Sequence, residues 1–195
     1  MPRVKGERRL EILKALAGML EQPKWGKITT AALAEKLDVS EAALYRHFAS
    51  KAQMYEGLIE FIESSVFTLV NKITADEPDG RKQADKLLEM LLAFAEKNPG
   101  MVRVMTGDAL VGEHERLQAR MNQFYERFES TLKQALRETQ LRPGESGQKS
   151  SDTDVAAHAG MLVRYALGCL HQFAKSGFTK KPTESLAAQR RYVSA

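Results

Sequence analysis

The chain has 195 residues, a hydrophobic fraction of 43%, a charged fraction of 28% and a formal net charge of +4. This composition is ordinary for a soluble globular protein. No apolar run approaches the ~18 residues that span a bilayer, and no signal-peptide pattern is found. The single cysteine, Cys169, excludes an intrachain disulfide, so we expect a cytoplasmic protein.

The first predicted helix runs from about Glu7 to Leu20. Its apolar residues recur at helical spacing and are expected to face the core: Leu10, Leu13, Ala17 and Leu20. A short arm, residues 2–6, precedes this helix. Such an arm could reach phosphates or an adjacent minor groove, or it could be frayed.

Residues 28–54 have the pattern of two short helices, a tight turn and the start of a third helix. Thr29 and Thr30 can cap the first helix by accepting hydrogen bonds from its unpaired backbone N–H groups. Asp38 and Val39 form the turn, and Ser40 caps the second helix. This arrangement is that of a helix-turn-helix.

The second of these helices presents a mixed face to solvent. Leu44 and Phe48 lie four residues apart and are expected to face inward, which turns their neighbours outward: Ala43, Tyr45, Arg46 and His47. A short helix whose exposed face combines small, aromatic and cationic side chains fits a major groove about 12 Å wide. We therefore interpret the segment as DNA-binding.

The excess positive charge lies in the same part of the chain. Residues 1–51 contain 10 Lys and Arg against 6 Asp and Glu, whereas residues 52–195 contain 19 of each. Positive charge beside a groove-reading helix is what phosphate neutralisation requires. We predict a DNA-binding domain over residues 1–51 and a larger helical domain over residues 52–195.

The larger domain is predicted to be helical throughout, so the fold class is all-α. The expected helices cover about residues 51–74, 81–97, 101–105, 113–139 and 153–175. Residues 142–152 are polar and rich in Gly and Ser, which is typical of a mobile loop. The inner face of the helix that begins at Lys51 is expected to include these residues: Met54, Leu58, Phe61, Ile62, Val66 and Leu69.

The last two long helices suggest a homodimer. The final one carries small residues that permit close helix approach: Ala156, Ala157, Ala159, Gly160, Ala166 and Gly168. Two recognition helices about 34–36 Å apart would read a palindrome. The alternative is that these helices only complete the core of a monomer.

The helix-turn-helix segment resembles the TetR-type family. The residues that carry the resemblance are Thr30, Ala34, Asp38-Val39-Ser40, Leu44-Tyr45-Arg46-His47-Phe48 and Ser50-Lys51. Asp38 stands where that family usually has glycine. Because Asp tolerates the left-handed conformation better than most residues, we expect the turn to survive with some strain.

The resemblance extends into the larger domain and narrows to the nucleoid-occlusion factors of the SlmA family. It is carried by these stretches: residues 58–63, Asn98-Pro99-Gly100, residues 105–110, residues 117–123, residues 126–129 and residues 136–138. It implies a nucleoid-associated protein that binds chromosomal DNA and the tubulin-like division protein FtsZ. FtsZ polymers would be disrupted, and no Z-ring would assemble over the nucleoid.

The same resemblance implies which residues bind FtsZ, and we predict the DNA contacts beside them. The FtsZ tail would lie in a groove between the fourth and fifth helices, around Phe61, Leu69, Met90, Ala93, Lys97 and Asn98. On the DNA side, the phosphates would be contacted by Thr30, Tyr45, His47 and Lys51. Ala42, Ala43 and Arg46 would lie nearest base edges. The alternative for Phe61 and Met90 is a role in the core, and Tyr45 could pack in part on the first helix.

No catalytic constellation is found, so we expect neither an enzyme nor a cofactor. The four histidines are scattered, and Cys169 is expected to be a small core residue rather than a nucleophile.

The main competing hypothesis is a ligand-responsive TetR-type repressor. Its pocket could be lined by Phe94, Met101, Met105, Met121, Phe124 and Met161, which could equally fill a solid core. A third hypothesis is an architectural DNA-binding protein without FtsZ activity.

Overall fold

The computed structural model describes residues 5–22, 26–140 and 151–193, and over these ranges the regular secondary structure is helical. The helices are α1 (Lys5–Leu20), α2 (Thr30–Lys36), α3 (Glu41–Tyr45), α4 (Lys51–Asp76), α5 (Gly80–Lys97), α6 (Pro99–Met105), α7 (Glu115–Gln140), α8 (Asp152–Lys175) and α9 (Leu186–Val193). A 3₁₀ turn, Asp108–Leu110, lies between α6 and α7. The all-α prediction is confirmed.

The long helices begin and end within two residues of their predicted bounds. Two differences occur at the ends of the chain: α9 was not predicted, and residues 5 and 6, assigned to an arm, form the first turn of α1. Residues 2–4 of the arm and 142–150 of the predicted loop lie outside the described residues. Over the part of the chain that is described, none of the helices could span a bilayer.

The chain forms two compact units, each built from two segments. The first unit comprises Met1–Ile62 and Asn98–Met121, and the second comprises Glu63–Lys97 and Asn122–Ala195. Helices α4 and α7 contribute residues to both units. These units are defined by how compactly their residues pack. The boundary predicted at residue 51 separates a DNA-binding domain from a partner-binding domain, and it stays a prediction.

In the first unit, α6 packs directly on the carboxyl-terminal turn of α1. A Cβ atom added at Gly100 would lie 2.2 Å from the Ala17 carbonyl oxygen, so only glycine allows this approach. Arg103 is buried and donates from Nε to the Leu20 carbonyl oxygen at 2.8 Å. Because the last carbonyls of a helix lack partners within it, this bond also caps α1.

In the second unit, aromatic residues of α4 and α7 pack together, and α5 packs on α8. The Phe67 and Phe124 rings meet edge to face with centroids 5.5 Å apart. The Arg127 guanidinium lies 3.7 Å from the Phe67 ring centroid, close enough for a cation–π interaction.

Three apolar residues expected to face the core are instead largely exposed. Leu10 is 47% exposed in α1, and Phe61 and Leu69 are each 41% exposed in α4. The buried stripe of α4 follows a four-residue spacing through Ile62, Val66 and Val70. Phe61 and Leu69 each precede a stripe residue by one position, which places them about 100° away around the helix.

Candidate nucleic-acid interface and partner surface

The helix-turn-helix begins with two side-chain caps. Thr29 Oγ1 accepts a hydrogen bond from the Ala32 N–H at 3.1 Å and caps α2. Ser40 Oγ accepts from the Ala43 N–H at 3.3 Å and caps α3. The expected cap at Thr30 is wrong, because Thr30 is already the first residue of α2. These caps fix where the two helices start.

The turn between α2 and α3 depends on a left-handed residue. Asp38 has φ +53°, a region that favours glycine, so the strained turn expected from the sequence is present. The Asp38 N–H donates to the Glu35 carbonyl oxygen at 3.0 Å, and the Val39 N–H donates to that of Ala34 at 3.0 Å. Both bonds close the turn and set the direction in which α3 leaves it.

Helix α3 is anchored by two apolar residues and presents the others outward. Leu44 and Phe48 are each 1% exposed, whereas Tyr45 is 45% exposed. Ala42 and Arg46 are exposed, and Ala43 is half-buried. We call Ala42, Ala43, Tyr45 and Arg46 the recognition face. Of the four residues expected to turn outward, Tyr45 and Arg46 are exposed, whereas Ala43 and His47 are half-buried.

Arg9 of α1 contacts the segment that follows α3, and no sequence pattern predicts this contact. Its Nη1 donates to the His47 carbonyl oxygen, and its guanidinium carbon lies 4.2 Å from the Phe48 ring centroid. A cation at the end of a helix also interacts favourably with the helix dipole. His47 is half-buried, and its Nδ1 has no hydrogen-bond partner among the described residues.

Two predicted phosphate contacts, Thr30 and Tyr45, belong to one polar cluster. The Tyr45 hydroxyl donates to Thr30 Oγ1 at 3.5 Å, and Thr30 Oγ1 donates to a Glu41 carboxylate oxygen. This cluster links the first turn of α2 to α3. It therefore holds the recognition face against α2.

The last predicted phosphate contact, Lys51, is engaged within the protein. Its ammonium forms an ion pair with Glu113 and lies 5.6 Å from the Tyr55 ring centroid. Burial raises the pKa of the Tyr55 hydroxyl, and the nearby Glu113 charge adds to the effect. Glu113 is 62 residues from Lys51 in the chain, and no local sequence pattern predicts this contact.

Phe61 and Asn98, predicted to bind a partner, line one apolar groove of about 260 Å³ in the first unit. The other lining residues are Leu10, Leu13, Lys14, Ala17, Glu21, Leu58 and Met101. We call this surface the apolar groove. Because Phe61 is 41% exposed, a purely core role for it is wrong.

The other four predicted partner residues belong to the second unit. Leu69 is 41% exposed on α4, and Lys97 is exposed in the last turn of α5. Met90 and Ala93 are half-buried. Met90, Ala93 and Lys97 are spaced by three and four residues, so they share one face of α5.

The residues named for a ligand pocket are divided between the two units. Phe94, Met105, Met121 and Phe124 are buried, and Met101 is 9% exposed and lines the apolar groove. Met161 is 38% exposed on α8.

Cys169 offers little nucleophilic chemistry. Its thiol is half-buried, and burial raises its pKa, although a hydrogen bond with Tyr165 acts in the opposite direction. A raised pKa leaves less thiolate, which is the reactive form. Over the described residues, no group of three or more His, Cys, Asp or Glu side chains could hold a metal ion.

Two protein-family models match the chain. Residues 12–58 match the model described as "Bacterial regulatory proteins, tetR family". Residues 81–195 match the SlmA-like model described as "Tetracyclin repressor-like, C-terminal domain". Together the two matches include the helix-turn-helix and most of the second unit.

Curated relatives named nucleoid occlusion factor SlmA match nearly the whole chain. The relative from Alteromonas mediterranea is 53% identical over 97% of this chain and 95% of its own. That from Idiomarina loihiensis is 50% identical over 97% and 94%, and that from Colwellia psychrerythraea is 46% identical over 98% and 95%.

A solved structure shows the same fold. A TetR-like transcriptional regulator from Rhodococcus sp. RHA1 superposes with a TM-score of 0.70 over 98% of each chain. At 18% sequence identity this similarity concerns the fold alone.

Proposed function

Because the chain belongs to the SlmA family of nucleoid occlusion factors, within the TetR family, we propose that it joins chromosomal DNA to the division protein FtsZ. A homodimer binds palindromic sites on the nucleoid. The bound protein captures FtsZ and disrupts its polymers, so that no Z-ring assembles over the chromosome. The protein acts by binding and not by catalysis.

The exposed recognition face is the observation that carries the DNA side of this proposal. Leu44 and Phe48 fix α3 from below, and the side chains of Tyr45 and Arg46 remain available to a duplex. An Arg side chain suits guanine because it offers paired donors to the O6 and N7 acceptors. Ala42 and Ala43 are small enough to let the helix approach base edges closely.

The phosphate contacts surround this face. Thr30 and Tyr45 lie in one cluster, His47 follows α3, and Lys51 begins α4. Thr29 and Ser40, whose side chains cap the two helices, complete the proposed DNA-binding set. The local excess of positive charge over residues 1–51 supports a salt-dependent interaction.

Helix α8 supplies a surface for the proposed dimer. Ala157, Met161 and Gly168 are exposed and lie four and seven residues apart, so they share one face. Small residues allow a second helix to approach closely, and Met161 adds apolar area. A dimer would present two recognition helices to successive major grooves.

The apolar groove is the best candidate for the capture of FtsZ within the first unit. Its lining combines exposed apolar side chains with Lys14 and Glu21, which suits an amphipathic peptide segment. In the second unit, the α5 face of Met90, Ala93 and Lys97, and Leu69 on α4, are proposed as further FtsZ contacts in their own right. Dense loading on DNA would raise the local concentration of these surfaces.

Sedimentation of FtsZ polymers tests the complete proposal. The protein is added with and without a duplex that it has selected from a random-sequence pool. We expect less FtsZ in the pellet with the protein, and a larger loss when the selected duplex is present. No effect on the pellet, together with release of the protein from DNA by a small apolar ligand, would instead indicate a conventional repressor.

A further inference from the structure

We propose that Glu113 is an intramolecular competitor of DNA. In the free protein the Glu113 carboxylate forms an ion pair with the Lys51 ammonium. A phosphate of the DNA backbone must displace this carboxylate when DNA binds. This inference rests on the proposed function, because it assumes that Lys51 contacts a phosphate. It assigns a determinant of DNA affinity to a residue outside the helix-turn-helix.

The ion pair between these residues is sheltered from solvent. The Lys51 side chain is 20% exposed and that of Glu113 is 12% exposed. The Tyr55 ring, whose centroid lies 5.6 Å from Lys51 Nζ, shields it further. Because a partly buried pair is screened by salt less than an exposed one, it persists under the ionic conditions in which DNA binds.

The conformation of the backbone around Glu113 fixes the position of its carboxylate. Gly107 has φ +82° and Gly112 has φ +74°, and these left-handed residues turn the chain on either side of the 3₁₀ turn. The Glu113 N–H donates to the Leu110 carbonyl oxygen at 3.0 Å. A second ion pair, Arg116 Nε to Glu56 Oε1 at 2.6 Å, joins the first turn of α7 to the second turn of α4.

The chemistry of the two anions makes them alternatives. A carboxylate and a phosphate both accept from the three N–H donors of an ammonium, and both carry negative charge. If a phosphate approaches Lys51 while Glu113 remains in place, the two anions repel each other. DNA binding therefore loses whatever the internal ion pair contributes, and removing the carboxylate should increase affinity.

The test measures DNA affinity by fluorescence anisotropy in four proteins and one control variant. These are the wild type, Glu113→Gln, Lys51→Gln and the double variant, with a labelled duplex that the wild type has selected from a random-sequence pool. Glu115→Gln is the matched control, since Glu115 is an exposed neighbour and loses the same charge. Circular dichroism checks that each variant is folded.

We expect Glu113→Gln to bind the duplex about three- to tenfold more tightly than the Glu115→Gln control, the range for loss of a partly sheltered pair. Lys51→Gln should bind more weakly than the wild type. In the Lys51→Gln background, Glu113→Gln should have no further effect, because the competition requires both residues.

Three results would overturn the inference while the proposed function stands. In the first, Glu113→Gln binds DNA no more tightly than the control does. In the second, Glu113→Gln binds DNA more weakly, because Glu113 orients Lys51 towards phosphate. In the third, the effect of Glu113→Gln on DNA affinity is the same with and without Lys51. If the wild type selects no duplex and shows no salt-dependent binding to the unselected pool, the proposed function itself fails and the inference fails with it.

Discussion

Asp38 adopts a left-handed backbone conformation at the point where α3 leaves the turn. A non-glycine residue there costs roughly 1 kcal/mol, which Asp reduces by local hydrogen bonding. We expect Asp38→Gly to increase the free energy of unfolding by about 0.5–1 kcal/mol. Urea denaturation without DNA, at a fixed protein concentration, measures the change.

Two further substitutions at this position separate conformation from charge. Asp38→Asn removes the charge but keeps the tolerance of positive φ, so its stability should stay within about 0.5 kcal/mol of the wild type. Asp38→Ala should lose about 1 kcal/mol or more. If Asp38→Gly were the least stable of the three, the aspartate would be a stabilising residue and not a strained one.

The packing of α6 on α1 decides stability at the scale of elements. A Cβ at Gly100 would lie 2.2 Å from a backbone oxygen, which no rotamer change can relieve. We therefore expect Gly100→Ala to lower the free energy of unfolding by about 1–3 kcal/mol, since α6 has to move away. Thermal and urea unfolding measure this loss.

Gly18 provides the matched control for this prediction, because it lies in α1 and its added Cβ would approach only the tip of Lys36, at 3.7 Å. Gly18→Ala should increase stability by up to about 1 kcal/mol through helix propensity. Equal effects of the two substitutions would show that helix propensity, and not the close approach of α6, governs both.

The helices themselves were predictable from sequence because their apolar periods are long and their ends carry Pro, Gly or capping residues. The exposure of Phe61 and Leu69 could not be predicted from the sequence. Because α4 carries apolar residues around much of its circumference, periodicity cannot show which stripe of them is buried. α9 has eight residues, which is too short a stretch for its apolar residues to establish a period.

Contacts between residues that are distant in the chain could not be predicted from the sequence either. Arg9 reaches the end of α3 across 38 positions, and Lys51 reaches Glu113 across 62. No local pattern encodes such pairs, since they depend on how α1 and the start of α7 pack. The outward direction of Tyr45 and Arg46 could be predicted, because Leu44 and Phe48 lie within about one helical turn of them and face inward.

For the whole molecule, the proposed dimer depends on the exposed face of α8. Met161 is 38% exposed on that face, so a charge there should be tolerated by the monomer but not by a dimer. We expect Met161→Glu to shift sedimentation equilibrium towards monomer and to weaken binding to a palindromic duplex. Binding to a single half-site should change little.

Thr68→Glu is a suitable control for oligomeric state, since Thr68 is an exposed residue of α4 and gains the same charge. It should leave the dimer intact. A Met161→Glu protein that remains dimeric would show that the two chains associate through another surface.

The two proposed binding surfaces should be separable by mutation. Phe61 contributes to the apolar groove and is 41% exposed, so Phe61→Ala should cost little stability but weaken FtsZ binding by about tenfold, a typical loss for an apolar anchor. Its DNA affinity should be unchanged.

Arg46→Ala should have the opposite effect, with weaker and less specific DNA binding but normal capture of FtsZ in solution. Val111, which is 80% exposed in the same unit and does not line the groove, supplies the control Val111→Ala. Loss of FtsZ binding in the Val111 variant, or in neither variant, would place the capture surface elsewhere.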